Sequence, residues 1–284
     1  MAKISNGKIG VIGGSGVYDL ESIKLIKEHD ISTPFGKPSD KIIEAEIDGS
    51  IFYFLPRHGR KHSYLPSEVN YRANIYALKS LGVKYLISIS AVGSLKEECP
   101  PGSFVLPDQF IDWTKGQRER SYFGNGIVGH VSVAAPIDSE MQKFIHLCCL
   151  ELKIPVRKDG SYICIEGPQF SSKAESNIYR SFGATVIGMT NVPESYLAKE
   201  AGMAYATIAM VTDYDCWKEV HCTLDEIMKV MKSNNVMAQA LIKFAIPKLS
   251  KSPIQYHSEN DIGIITPQDS MNEQQKKIVH TLLS

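Results

Sequence analysis

Ala204-Tyr-Ala-Thr-Ile-Ala-Met-Val-Thr-Asp-Tyr-Asp-Cys-Trp217 is a mostly apolar run that ends in two carboxylates. Its length and composition are those of a buried strand. Side chains alternate along a strand, so residues two apart share a face. The spacing therefore predicts Asp213 and Asp215 together where the strand leaves the core. Two carboxylates in one small space rarely both ionise; one holds a proton or finds a partner. Such a pair is suited to gripping and protonating a nitrogen heterocycle. The alternative is an Asp-Tyr-Asp turn that caps the following helix, since Asp is common in turns.

Outward from this strand, short β-like runs alternate with helical stretches, the pattern of an α/β protein. Strands are expected at 8–12, 42–47, 51–55, 84–90, 161–165, 185–188 and 203–212, and helices at 68–81, 139–152, 173–182, 193–201 and 224–246. Ser172-x-x-Glu175 and Thr223-x-x-Glu226 match the capping box. Gly183 and Gly202 stand where a glycine ends a helix. Pro247 follows the last long helix. Residues 114–130 are polar and glycine-rich and read as a long exposed loop. One domain is expected over 1–248, with a less regular tail over 249–284 that carries the apolar piece Ile262–Ile265 and an amphipathic segment at 272–283. Such a tail docks on a neighbouring subunit or frays.

Bulk properties narrow the function classes. The 284 residues suffice to bury most of the apolar surface. Lys plus Arg and Asp plus Glu balance at 31 each, which gives no footprint for nucleic acid or membrane partners. The apolar run Ile9–Ile12 is too short for a signal-peptide core. The six cysteines show no CxxC pattern, so a reduced, cytoplasmic protein without a metal site is expected.

Three strand ends carry chemistry that suits an anion. Gly13-Gly-Ser-Gly16 is a glycine-rich turn whose amides can approach a phosphate. It departs from the dinucleotide fingerprint, because Asp19 stands where the third glycine belongs, and it lacks a Walker lysine. Arg57-His58-Gly59-Arg60 offers a guanidinium fork and an imidazole. Ser88-Ile-Ser90-Ala91-Val92-Gly93-Ser94 is small enough to leave amides open. Each has a bland alternative as a plain turn or a solvated basic loop. Together they fit the rule that open α/β sheets bind ligands at the carboxyl ends of their strands. Phe170, in Glu166-Gly-Pro-Gln-Phe170, could cover a flat ring or plug the core. Met189 could be ordinary core and Thr190 an ordinary N-cap.

In order along the chain stand Ile12-Gly-Gly-Ser-Gly16, Thr33-Pro-Phe-Gly-Lys-Pro-Ser39, Arg57-His-Gly59, Val69-Asn-Tyr-Arg-Ala-Asn74, Ala91-Val-Gly-Ser94, Asp108-Gln-Phe-Ile-Asp112, Glu166-Gly-Pro-Gln-Phe-Ser-Ser172, Met189-Thr190, Val192-Pro-Glu194 and Thr212-Asp-Tyr-Asp-Cys-Trp217. This ordered set resembles the purine nucleoside phosphorylase superfamily and, within it, the trimeric 5′-methylthioadenosine phosphorylases. The resemblance implies a single α/β domain with a central mixed, partly barrel-like twisted sheet flanked by helices. It implies phosphorolysis of 5′-methylthioadenosine to adenine and 5-methylthioribose 1-phosphate. Inorganic phosphate is then a co-substrate, no further cofactor is needed, and the assembly is a homotrimer. The phosphate pocket implied comprises Ser15, Arg57, His58, Ser90, Ala91 and Thr190. Met189 would floor the ribose and Phe170 and Ser171 would line the base. Asp213 would protonate purine N7 and Asp215 would accept from the 6-amino group, or the reverse. Leu224 and Ile227 would meet the 5′-substituent, with His130 and Ile265 supplied by the adjacent subunit. The chain differs from vertebrate relatives by a segment two residues shorter between Trp217 and Leu224, by Val92 in place of a cysteine and by Gln169 in place of an arginine. Rival readings are a broader purine nucleoside phosphorylase, acting on adenosine, inosine, guanosine or methylthioinosine, a nucleoside hydrolase, and a non-catalytic nucleotide-binding module built on Gly13–Gly16.

Overall fold

The computed structural model describes residues 7–14, 16, 23–218, 224–256 and 263–284, with the Leu224 side chain excepted. Eleven strands among them form one mixed sheet. β1 (Lys8–Gly13) runs parallel to both β4 (Ser50–Pro56) and β5 (Val83–Ser94). β3 (Ile42–Ile47) pairs antiparallel with β4 and carries β2 (Lys24–His29) on its outer edge. β11 (Ala204–Tyr214) lies parallel to β5 on its other side. β6 (Phe104–Leu106) continues from β11 to β8 (Val156–Lys158). β10 (Val186–Gly188) joins the end of β5 to β9 (Ser161–Ile165), and β7 (Gln109–Trp113) closes that side. The first nine residues of β11 are all buried. Strands covered on both faces read as continuous apolar runs, and this one does.

The long strand β5 creates the site. One of its edges pairs with β1 as far as Ser88, and β10 takes up the same sheet from Gly93. Between those points residues 89–92 of β5 pair with neither strand on that edge, and Ala91 is exposed there. Such a change of neighbour is where open α/β sheets bind ligands.

Helices cover the sheet. They are α1 (Tyr71–Ser80), α2 (Ser139–Glu151), α3 (Lys173–Ser181), α4 (Asn191–Glu200), α5 (Leu224–Lys251) and α6 (Glu273–Leu283). The side chains of Asn70 and Asp138 cap α1 and α2, and the expected Ser172–Glu175 capping box forms on α3. Gly183 and Gly202 end α3 and α4 with φ of +78° and +60°, a conformation that favours glycine. Thr223 lies outside the described residues, so the second capping box does too.

Several expectations are corrected. Pro247 lies inside α5, which runs on to Lys251; packing of buried Ala245, Ile246 and Leu249 holds the helix together past it. Segment 114–130 is not uniformly exposed: Arg118, Tyr122 and Ile127 are buried. Strands β2, β6, β7 and β8 were not expected. Apart from these corrections, part of the expected tail makes contacts within its own chain: Ile278, Val279 and Leu282 of α6 are buried, and Tyr76 Oη donates to Thr281 Oγ1 at 2.9 Å.

Candidate active site

The two aspartates meet, though not by simple alternation. A β-bulge interrupts the β11–β5 register between Val211 and Asp213, and the strand ends at Tyr214. A bulge re-aims side chains and is frequent beside active sites. Asp215 follows the strand, and its amide donates to the Ser94 carbonyl at 3.0 Å. Both residues close on Gly93, where a Cβ would lie 3.5 Å from Asp213 Oδ2 and 3.5 Å from the Asp215 Cβ. Glycine keeps that space open.

Both carboxyls titrate above the ordinary range. Burial pushes Asp213 up, the Thr212 hydroxyl opposes the rise, and the charge of Asp215 adds to it. Burial also pushes Asp215 up, against the hydroxyl of Ser176, the Cys216 amide and the Ser171 hydroxyl. Those hydroxyls lie close enough to act on the charge but not in bonding geometry. Asp215 Oδ2, Ser171 Oγ and Ser176 Oγ are all buried without a hydrogen-bond partner among the described residues. Buried polar atoms are normally paired, so this corner has acceptor and hydroxyl capacity to spare for a ligand.

A second wall is set by Arg57, which is fully buried. Its Nε and Nη2 hold the Glu194 carboxylate at 2.6 and 3.0 Å, Nη2 also reaches Ser88 Oγ at 2.8 Å, and Nη1 donates to the Ile89 carbonyl at 2.9 Å. Burial opposes the Arg57 charge, but Glu194 outweighs it and keeps the guanidinium firmly protonated. Most of the fork is thus occupied inside the protein, and one Nη1 proton remains for an anion. Glu194 anchors this wall further by accepting from Ser88 Oγ at 2.6 Å and Tyr205 Oη at 3.0 Å.

His58 is buried beside Arg57. Desolvation and the Arg57 charge bring it down to about 4, so the ring is neutral near pH 7. Its Nδ1 lies 2.9 Å from the Tyr64 carbonyl, which can only accept, so Nδ1 carries the proton and Nε2 is bare. Ser90 Oγ donates to Asn191 Oδ1 at 3.1 Å. Thr190 occupies the N-cap position of α4 without making the side-chain cap bond, and its buried Oγ1 has no partner among the described residues. The N-cap alternative for Thr190 therefore lacks its hydrogen bond.

Phe170 is 84% exposed, which removes the core-plug alternative. Met189 is partly buried, and its Sδ approaches Gly167, where a Cβ would lie 2.5 Å away. Ile227 is half-buried on α5. His130 and Ile265 are exposed and lie on two paired segments: His130 N donates to the Gly263 carbonyl at 2.7 Å and Ile265 N to the Val128 carbonyl at 2.8 Å. Ser15 and the Leu224 side chain lie outside the described residues.

Arg118 was missed by sequence reasoning. It is buried in a polar loop and ties together the segments that bear Glu166 and Met189. Nε meets Glu166 Oε1 at 2.6 Å, Nη1 donates to the carbonyls of Met189 at 2.6 Å and Val192 at 2.7 Å, and Nη2 donates to the Glu166 carbonyl at 2.9 Å. The available signal was Glu166 itself: a carboxylate at the end of an apolar strand needs a cation.

Comparison with known proteins identifies the family. The family model described as the phosphorylase superfamily matches residues 8–247. The chain is 49% identical over 245 residues to an S-methyl-5′-thioadenosine phosphorylase of Geobacter sulfurreducens, covering 86% of each chain. Its fold superposes with a TM-score of 0.93 on a methylthioadenosine phosphorylase sourced from an antarctic soil metagenomic library, at 42% identity and covering 98% of this chain and 99% of that one. A double mutant of adenosine/methylthioadenosine phosphorylase from Schistosoma mansoni, in complex with adenine, superposes with a TM-score of 0.82 at 35% identity, covering 87% and 92%.

Proposed function

The chain belongs to the phosphorylase superfamily, and from that premise we propose that it cleaves 5′-methylthioadenosine with inorganic phosphate, giving adenine and 5-methylthioribose 1-phosphate. It is a pentosyltransferase. The observation that carries this reading is the half-buried Asp213 and the buried Asp215 closing together on Gly93. A purine N7 needs a proton donor and a 6-amino group needs an acceptor, and two carboxyls with raised pKa values supply both.

Phosphate binds below the ribose, against Ser90, Ala91, Thr190, the remaining Arg57 donor and Ser15, while His58, whose bare Nε2 can only accept, takes the P–OH of the hydrogen phosphate dianion. Met189 floors the sugar, and Phe170 and Ser171 flank the base. As the bond to N9 stretches, positive charge grows on the sugar and the phosphate dianion stabilises it before attacking C1′. No covalent enzyme intermediate is required. Asp213 holds the proton for N7, and Asp215, whose Oδ2 lacks a partner among the described residues, accepts from the 6-amino group. General acid catalysis of this kind contributes roughly 10²–10⁴-fold. His130 and Ile265, both exposed, complete the 5′-pocket of a neighbouring subunit with its Leu224 and Ile227. The working assembly is a homotrimer in the cytoplasm.

A second reading extends the substrates to adenosine. It is favoured by the similarity to a Schistosoma enzyme named for both adenosine and methylthioadenosine. An aspartate pair does not favour 6-oxo purines, which offer no amino donor. Initial rates with methylthioadenosine, adenosine, inosine and methylthioinosine at one phosphate concentration separate these cases. The proposal expects methylthioadenosine first and the 6-oxo nucleosides far behind; a preference for inosine would reject it.

A further inference from the structure

The phenol of Tyr162 has no part in the chemistry above, yet it ends beside the phosphate wall. Its ring is fully buried in a small cluster with Val92, Cys164 and Val186, and Phe110 meets it edge-on at 5.6 Å. The hydroxyl passes the sheet at Gly188, where any Cβ would collide with it. Glycine at that position is what admits the oxygen. Its polar neighbours beyond Gly188 are the hydroxyl and amide of Thr190 and the hydroxyl of Ser90.

Both Tyr162 Oη and Thr190 Oγ1 are buried without a hydrogen-bond partner among the described residues. Ser90 already donates to Asn191 Oδ1, and Thr190 is released from capping α4. Two adjacent unpaired hydroxyls are costly unless a ligand completes them. A chain of hydroxyls has one proton per oxygen, so it needs a terminal acceptor, and a phosphate dianion is one.

We propose that Tyr162 is a positioning residue for phosphate. Its hydroxyl donates to Thr190 Oγ1 and thereby turns the threonine proton toward a phosphate oxygen. Burial keeps the phenol protonated, so it acts only as a neutral donor. Successive hydrogen bonds polarise one another, which strengthens the last link to the anion. The inference rests on the phosphorolysis reading given above.

Tyr162→Phe keeps the ring and removes the oxygen. The expected result is a phosphate KM raised roughly three- to tenfold, with the nucleoside KM, the kcat at saturating phosphate and the melting temperature unchanged. Because the effect passes through Thr190, the same change in a Thr190→Val background should add nothing further. An unchanged phosphate KM overturns the proposal. So does an equal loss in both backgrounds, or a loss spread over both substrates with a lowered melting temperature, which marks a packing role. Wild-type base release that needs no phosphate would instead overturn the phosphorolysis reading, so the two failures are distinct.

Discussion

Thr212 Oγ1 lies 2.6 Å from Asp213 Oδ1, and the same hydroxyl lies 3.2 Å from the Val92 carbonyl oxygen. A carbonyl only accepts, and a hydroxyl has one proton. When Thr212 points at Asp213, it stabilises the carboxylate. When it points at Val92, the short contact is kept by a proton on Asp213. The threonine can therefore accompany the carboxyl through both protonation states, which is what a general acid needs during turnover.

Asp213→Asn removes that proton source with little change of shape. Turnover of methylthioadenosine should fall roughly 10²–10⁴-fold, while the phosphate KM stays near the wild-type value. Steady-state kinetics with each substrate varied in turn measure both. Near-full activity would remove Asp213 from the acid role.

Arg57 and Glu194 should respond as a pair. Removing one member of a buried ion pair leaves the other uncompensated, at a cost of about 3–5 kcal/mol. Arg57→Ala is thus expected to lower stability and to raise the phosphate KM strongly. Arg57→Met combined with Glu194→Gln should recover much of the stability, read by denaturant unfolding, and leave the phosphate KM high. Recovery of phosphate affinity in the double variant would mean that Arg57 acts only as a structural cation.

His58 makes stability depend on pH. Its folded value of about 4 lies below the ordinary 6.5. Between these values the unfolded chain binds more protons than the folded one, so stability is present above pH 6.5 and is lost as pH falls toward 4. The raised Asp213 and Asp215 act in the opposite sense and offset part of the slope. His58→Gln removes only the first contribution. Its stability profile across this window should be flatter than wild type by up to roughly 3 kcal/mol. Parallel profiles would show that His58 is not held neutral.

Arg118→Met should uncouple the loop bearing Glu166 from that bearing Met189. The buried Glu166 would be left without its cation, at a cost of about 3–5 kcal/mol. The nucleoside KM should rise more than the phosphate KM, because the freed carbonyl is that of Met189, the proposed ribose floor. An equal effect on both substrates would argue for general loosening only.

What the sequence disclosed depended on how local the signal was. Strands β1, β4, β5, β9, β10 and β11 are largely apolar runs, β3 alternates apolar and acidic residues, and α3 announces itself with Ser172 and Glu175. Strand β2, Lys-Leu-Ile-Lys-Glu-His, is a largely exposed sheet edge and has no core pattern to read. Strands β6 and β8 span three residues each and exist through partners distant in sequence. For the site, strand alternation suggested that Asp213 and Asp215 share one space. The bulge that aims them at Gly93 is a pairing property with no local signature. Residues 114–130 looked solvated because their composition is polar, yet Arg118 is buried where two carbonyls and Glu166 wait for it. Charge pairing across 48 positions cannot be read from a window of sequence.

The central claim is that phosphate, not water, takes the sugar. The most direct measurement is adenine release from methylthioadenosine with and without inorganic phosphate, with the sugar product identified. The predicted result is negligible release without phosphate, saturable release with it, and one 5-methylthioribose 1-phosphate per adenine. Release at an undiminished rate in phosphate-free buffer, with free 5-methylthioribose as the product, would contradict it.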